Sequence, residues 1–149
     1  MVNAAPPVGR FDRGAHRFPL RVYFEDTDLS GVVYHANYLR FMERARSDML
    51  ECAGLDQRAD FEGGAGVWAV ARLQIRYVRP ARLGDALEVA TRVVALTGAT
   101  ARMEQQVRRG EDVLTDAQVT AAWLTTDGRP QRQPAAWRET IARHFEELR

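Results

Sequence analysis

One hundred and forty-nine residues, 46% hydrophobic and 28% charged, describe a soluble globular chain long enough to bury one core without disulfides or a structural metal. The 21 basic residues, all arginine, stand against 20 acidic ones, and a net charge of +1 excludes a broad basic face for nucleic acid. Cys52 is the single cysteine, which excludes an internal disulfide and a cysteine-built zinc site.

In chain order, residues 1–17 carry Pro6, Pro7, Gly9 and Gly14 with little apolar periodicity, and read as a flexible N-terminal arm. Residues 18–149 read as a single domain. A first strand is predicted over Phe18–Glu25, where Val22 and Phe24 alternate with Arg21, Tyr23 and Glu25. A turn containing Asp26, Thr27, Asp28 and Gly31 leads from it into a long helix. There Tyr38, Leu39, Phe41, Met42, Ala45, Met49, Leu50 and Ala53 recur at three- and four-residue spacings, and Gly54 is a natural stop.

Four strand-like runs follow. In Val67–Val78 the residues Ala69, Ala71, Leu73, Ile75 and Tyr77 share one face, and Arg72, Gln74 and Arg76 the other. Turn signals at Gly84-Asp85, Thr97-Gly98-Ala99, Gly110–Asp112 and Asp127-Gly128 separate or close the runs Leu87–Leu96, Thr100–Arg109 and Val113–Thr126. Trp137, Ile141, Phe145 and Leu148 mark a short C-terminal helix. The expected class is α+β: one long helix against a curved antiparallel sheet of about five strands.

Chemistry concentrates in the turn before the long helix. Asp28 stands where a carboxylate can activate water or attack a carbonyl, beside helix N–H groups that have no intrahelical acceptor. The alternative is that Asp26, Thr27 and Asp28 are ordinary turn and capping residues. His35 either positions a substrate, bonds Asp28, or simply packs at the helix start. His16, His35 and His144 are too scattered for ligand spacing, so no metal is expected. No Gly-x-Ser-x-Gly elbow or Walker loop occurs. Gly63-Gly64-Ala65-Gly66 reads as a mobile loop, and Cys52 as a core residue rather than a nucleophile.

Tyr23-Phe24-Glu25-Asp26-Thr27-Asp28, then Gly31-Val32-Val33-Tyr34-His35-Ala36-Asn37-Tyr38 and Phe41-Met42-Glu43-Arg44-Ala45-Arg46, resemble the hotdog-fold acyl-CoA thioesterases. The similarity is greatest to the YbgC-type branch associated with the Tol-Pal system, related to 4-hydroxybenzoyl-CoA thioesterase. It continues through Tyr77–Asp85 and covers about Phe18 to Trp137. The resemblance implies the hotdog fold and subunits joined edge to edge as a homodimer or homotetramer. It makes Asp28 the base or nucleophile toward the thioester. It also places His35 where its backbone N–H polarises the carbonyl, with Tyr34 and Asn37 lining the substrate site.

On the same grounds the partner is acyl-CoA, with short or medium acyl groups, or an acyl carrier protein thioester, and no cofactor is required. An aromatic, 4-hydroxybenzoyl-type substrate is the alternative within the family. A non-catalytic module binding acyl carrier protein or envelope and lipid-synthesis proteins is the alternative outside it. Where the 4-hydroxybenzoyl-CoA branch has a basic turn for CoA phosphates, this chain has Thr97-Gly98-Ala99, leaving Arg79, Arg82 and Arg102 as substitutes. With one cysteine, no apolar run of about 18 residues and no signal-like apolar core, a cytoplasmic protein without a membrane span is expected.

Overall fold

In the computed structural model, which describes residues 8–148, six strands form one antiparallel sheet with a long helix packed on one face. The strands are β1 (Arg10–Asp12), β2 (Ala15–Arg21), β3 (Val67–Tyr77), β4 (Ala86–Leu96), β5 (Thr100–Arg109) and β6 (Asp112–Leu124). Their order across the sheet is β1-β2-β4-β5-β6-β3, so β3 is an edge strand paired on one side by β6. The helices are α1 (Asn37–Cys52), α2 (Gln57–Glu62) and α3 (Ala135–Ala142).

The apolar stripe of α1 is the one its spacing predicts. Tyr38, Phe41, Met42, Ala45, Met49 and Leu50 are buried in one core with Val89 and Val93 of β4, Met103 and Val107 of β5, and Val119 of β6. In β4 and β5 every second residue is buried, the signature of a sheet with one face on a core. Gly54 ends the helix region at φ +83°, a left-handed conformation that glycine adopts without a Cβ clash. Trp137 and Ile141 of α3, with Phe145 beyond it, close the core from the C-terminal side.

The expected N-terminal arm is corrected from Arg10 onward; residues 1–7 lie outside the described residues. β1 and β2 form a hairpin whose turn takes positive φ at Arg13 and Gly14, and His16 within it is fully buried. Three residues are too short to show a period, and this hairpin is held by contacts to α1 that lie far off in sequence. The first strand also ends at Arg21 rather than Glu25, because Phe24–Asp26 turns into a short 3-10 helix that leaves Phe24 exposed. The added β1 is what replaces about five expected strands with six.

Two further differences bear on the site. Helix α2 is unforeseen; Asp56 caps it by accepting from the Ala59 N–H at 2.9 Å. After it, the Gly63–Gly66 run brings Gly66 so close to β6 that an added Cβ would lie 2.6 Å from the Trp123 ring.

In β3 a bulge at Ala71 shifts the register between Val70 and Arg72. Trp68 and Val70 pair with Trp123 and Ala121, whereas Leu73 and Ile75 pair with Val119 and Ala117. One inserted residue reverses the side-chain alternation, so Trp68 and Val70, rather than the expected Ala69 and Ala71, share the sheet face of Leu73 and Ile75, with Trp68 half-buried and Val70 exposed. A similar irregularity between β5 and β6 leaves Leu114 fully buried while Val113 is only half-buried.

Candidate active site

The turn before α1 is a short two-stranded ladder. The Asp28 N–H donates to the Val32 carbonyl at 2.9 Å, Thr27 bridges Val33, and the Tyr34 N–H donates to the Asp26 carbonyl at 3.0 Å. Gly31, at φ +80°, makes its tip. Asp26 is a structural residue: it is buried, and its Oδ2 accepts the Tyr23 N–H at 2.8 Å. The Thr27 hydroxyl donates to the Phe24 carbonyl at 2.7 Å. For these two residues, capping and turn-making is the role observed.

Asp28 is different in one respect. It is exposed, and its Oδ1 accepts both the Ser30 N–H at 2.8 Å and the Ser30 hydroxyl at 2.5 Å. The Ser30 side chain and backbone stabilise the charged form, holding the Asp28 pKa below the ordinary carboxylate value. Oδ2 makes no hydrogen bond among the described residues. The result is a fixed, ionised carboxylate with one oxygen available to solvent or substrate.

At the other end of the ladder stand the remaining predicted residues. Helix α1 begins at Asn37, with Ala36 as an N-cap that offers no side-chain hydrogen bond. Among the described residues the N–H groups of His35 and Ala36 donate to no acceptor, so the positive end of a 16-residue helix is open there. The Asn37 amide instead donates to the Asp26 carbonyl at 2.9 Å, tying the helix start to the turn.

Tyr34 and His35 are exposed, with their rings 4.6 Å apart. The His35 side chain makes no hydrogen bond to Asp28 among the described residues; its ring packs edge-on to Tyr77 at 6.2 Å. Tyr77, which the sequence did not single out, donates its hydroxyl to the His35 carbonyl at 2.9 Å and so holds the segment in place. Ser30 was also missed, although a serine two residues after an aspartate is a recognised turn signature. Chemically, a charged carboxylate and unpaired helix N–H groups suit attack on, or hydration of, a polarised carbonyl.

Elsewhere, His16, Asp48 and Cys52 are brought within 4.8 Å of one another. Asp48 Oδ2 accepts from the Gly9 N–H and His16 Nε2, both at 2.8 Å, and from the Cys52 thiol at 3.4 Å, while His16 Nδ1 is buried without a hydrogen-bond partner among the described residues. Cys52 is exposed rather than core, and its thiol is pushed up to about 11 by burial of the sulfur and by Asp48, away from thiolate character. No helix among the described residues is long and apolar enough to cross a membrane.

Residues 30–115 match the family model described as the thioesterase superfamily. Acyl-CoA thioesterase YbgC of Haemophilus influenzae is 38% identical over 132 residues, covering 89% of this chain and 95% of that protein. A probable thioesterase from Bartonella henselae superposes with a TM-score of 0.77 at 41% identity, over 80% of this chain and 99% of that one. A thioesterase from Thermus thermophilus, solved with coenzyme A and Zn, gives a TM-score of 0.75 at 33% identity, over 89% and 94%.

Proposed function

Because this chain belongs to the thioesterase superfamily, with its hotdog fold, and is an acyl-CoA thioesterase, we propose that it hydrolyses short- or medium-chain acyl-CoA through Asp28. One observation carries the assignment: Asp28 is held ionised by Ser30 with an oxygen left unbound. It activates water or attacks the thioester carbonyl itself, while the His35 N–H at the head of α1 stabilises the developing oxyanion. A thiolate leaves readily, so no serine–histidine pair is required. Tyr34 and Asn37 line the site, Asn37 by fixing the helix start on the Asp26 carbonyl. The single cysteine supports a reducing, cytoplasmic compartment.

Two copies join through β3. As an edge strand it presents unpaired backbone groups together with exposed Val70, Leu73, Tyr77 and Val78, a combination that free edges in monomers avoid. A homodimer of this kind, or a tetramer built from it, extends the sheet across a two-fold axis.

For the CoA phosphates the geometry favours Arg82. Arg79 is engaged with Asp112 at 3.1 Å, and Arg102 lies out on β5. Arg82 bridges Val32 of the Asp28 turn and has no ion pair among the described residues. Arg82→Ala is expected to raise KM for acyl-CoA about three- to tenfold with kcat kept, and KM for a pantetheine thioester lacking the nucleotide should not move.

The decisive test is steady-state hydrolysis of short, medium and long acyl-CoAs, 4-hydroxybenzoyl-CoA and an acyl carrier protein thioester by the wild type and Asp28→Asn. A chain-length preference that disappears in the variant supports the assignment. Hydrolysis that persists unchanged removes Asp28 from the chemistry.

The Ser30 contacts give a second check. Removing donors to the charged form raises the Asp28 pKa, so in Ser30→Ala the acid limb of the kcat/KM profile moves to higher pH, toward the ordinary carboxylate value. A limb at the wild-type position would separate Ser30 from the reactive carboxylate.

A further inference from the structure

We propose that Tyr38 and the Asp85–Arg109 pair are positioning residues for the Asp28 turn, acting through two consecutive backbone peptides, at residues 80–82, that brace this turn against the start of α1. The inference rests on the Asp28 assignment and adds the residues that set where its carboxylate stands.

The ladder at the Asp28 turn has a third strand. The Val33 N–H donates to the Ala81 carbonyl at 2.9 Å, Val32 bridges Arg82, and the Leu83 N–H donates to the Gly31 carbonyl at 3.4 Å. Val33 and Ala81 are buried, so this side of the turn is set in the core while Asp28 itself is exposed. Where residues 80–82 lie therefore decides where the middle of the turn lies.

Four contacts hold those residues. In the Pro80–Ala81 peptide the carbonyl accepts from Arg109 Nη1 at 3.3 Å, and the N–H donates to the Tyr38 hydroxyl at 2.9 Å. In the next peptide the Ala81 carbonyl takes the Val33 N–H, and the Arg82 N–H donates to Asp85 Oδ2 at 2.9 Å. A peptide is planar, so a contact at each end fixes its plane. Asp85 Oδ2 also accepts from Arg109 Nη1 at 2.8 Å, and a single ion pair thus supports both peptides. The Arg82 N–H and Arg109 stabilise the charged form of Asp85, holding its pKa below the ordinary carboxylate value.

Tyr38 connects this brace to the other half of the site. It is the second residue of α1 and is buried, its ring edge-on to Phe41 at 6.0 Å and to Tyr77 at 5.6 Å. The contacts run from the helix whose open N–H groups receive the oxyanion, through Tyr38 and Ala81, to Val33, which bridges Thr27 beside Asp28. Asn37 ties α1 to the base of the turn at Asp26; the Tyr38 route holds the part nearer Asp28. Misplacing a reacting group by about 1 Å costs about a hundredfold in rate, so a support of this kind registers in kcat.

The test measures kcat and KM for hexanoyl-CoA and benzoyl-CoA, together with Tm. Tyr38→Phe keeps the packed ring and removes the hydroxyl that accepts from Ala81. Arg109→Met removes the cation from a partly exposed position, where folding is less at risk. Each is expected to lower kcat about tenfold with KM within about twofold, because the helix N–H groups and the CoA contacts stay in place. Arg109→Lys keeps the charge but not the fork, and should fall between Arg109→Met and wild type. Asp48→Ala, toward the other end of α1, is the control for stability alone: it should lower Tm at least as much and keep kcat when assayed well below melting. Wild-type kcat in Arg109→Met, or in folded Tyr38→Phe, with Asp28→Asn inactive overturns the brace and leaves the Asp28 assignment standing. A kcat that falls with Tm in every variant, Asp48→Ala included, also overturns it, since the loss is then one of general stability. Turnover kept by Asp28→Asn, or absent from the wild type on both thioesters, removes the Asp28 assignment and the brace with it.

Discussion

Asp28→Asn lowers kcat by an expected hundredfold to ten-thousandfold, the range for losing a positioned base or nucleophile. The substitution is nearly isosteric, and the asparagine oxygen can still accept from the Ser30 N–H and hydroxyl. The turn therefore keeps its shape, and the ladder of Asp28, Thr27 and Asp26 with Val32, Val33 and Tyr34 rests on backbone groups the change does not touch. What is lost is the negative charge and with it the power to take a proton or attack a carbonyl. Substrate affinity should survive, because the helix N–H groups and the pocket are unchanged. A variant that binds product CoA like wild type but turns over normally would move the chemistry away from this residue.

The largest expected effect on stability belongs to Asp48→Ala. One carboxylate oxygen gathers the Gly9 N–H, the His16 ring and the Cys52 thiol, clasping the N-terminal hairpin onto α1. Alanine strands the His16 Nε2–H, which is fully buried, and the Gly9 N–H. At about 1–3 kcal/mol for each unsatisfied group, the loss is about 2–6 kcal/mol, or about 4–24 °C in Tm for a chain this size.

The same clasp makes stability depend on pH. Burial lowers the His16 pKa below 6.5, outweighing the upward pull of Asp48, so the unfolded chain binds the proton first. The contribution is complete above pH 6.5 and is lost as pH falls toward the folded-state value. In Asp48→Ala the upward pull is gone, and the acid-induced loss becomes larger. Thermal melts of both proteins between pH 5 and 8, about the range where histidine titrates, check the sign; matching melting temperatures at neutral pH would show that the clasp does not hold the hairpin.

Local pattern carried much of the fold. The stripe from Tyr38 to Leu50 needs only its own three- and four-residue spacing to declare a buried helix face. Likewise β4 and β5 show their one-sided burial through alternation alone. The turn residues from Asp26 to Gly31 and the helix start that follows were visible for the same reason: their chemistry is local. The motif resemblance then supplied what spacing could not, a reason to separate Asp28 from Asp26 and Thr27, all three of which suit a turn.

What escaped the sequence depends on partners distant in the chain. The hairpin β1–β2 exists because Asp48 holds His16 and Gly9 across more than thirty positions, and no window over residues 8–17 contains that carboxylate. The bulge at Ala71 is a property of the β3–β6 register, yet it decides that Trp68 and Val70, not Ala69 and Ala71, share the face of Leu73 and Ile75. Arg46 has no hydrogen-bond partner within its own helix, and only the fold brings it to Gln105, itself fixed by Thr91 and Met42, which accepts from one of its nitrogens. The elements and the reactive turn were legible in chain order, since they follow from neighbours a few residues apart. That the Trp68 Nε1–H stays unpaired among the described residues, beside a cavity, was settled by folding, because hydrogen-bond satisfaction is decided among residues that meet only there.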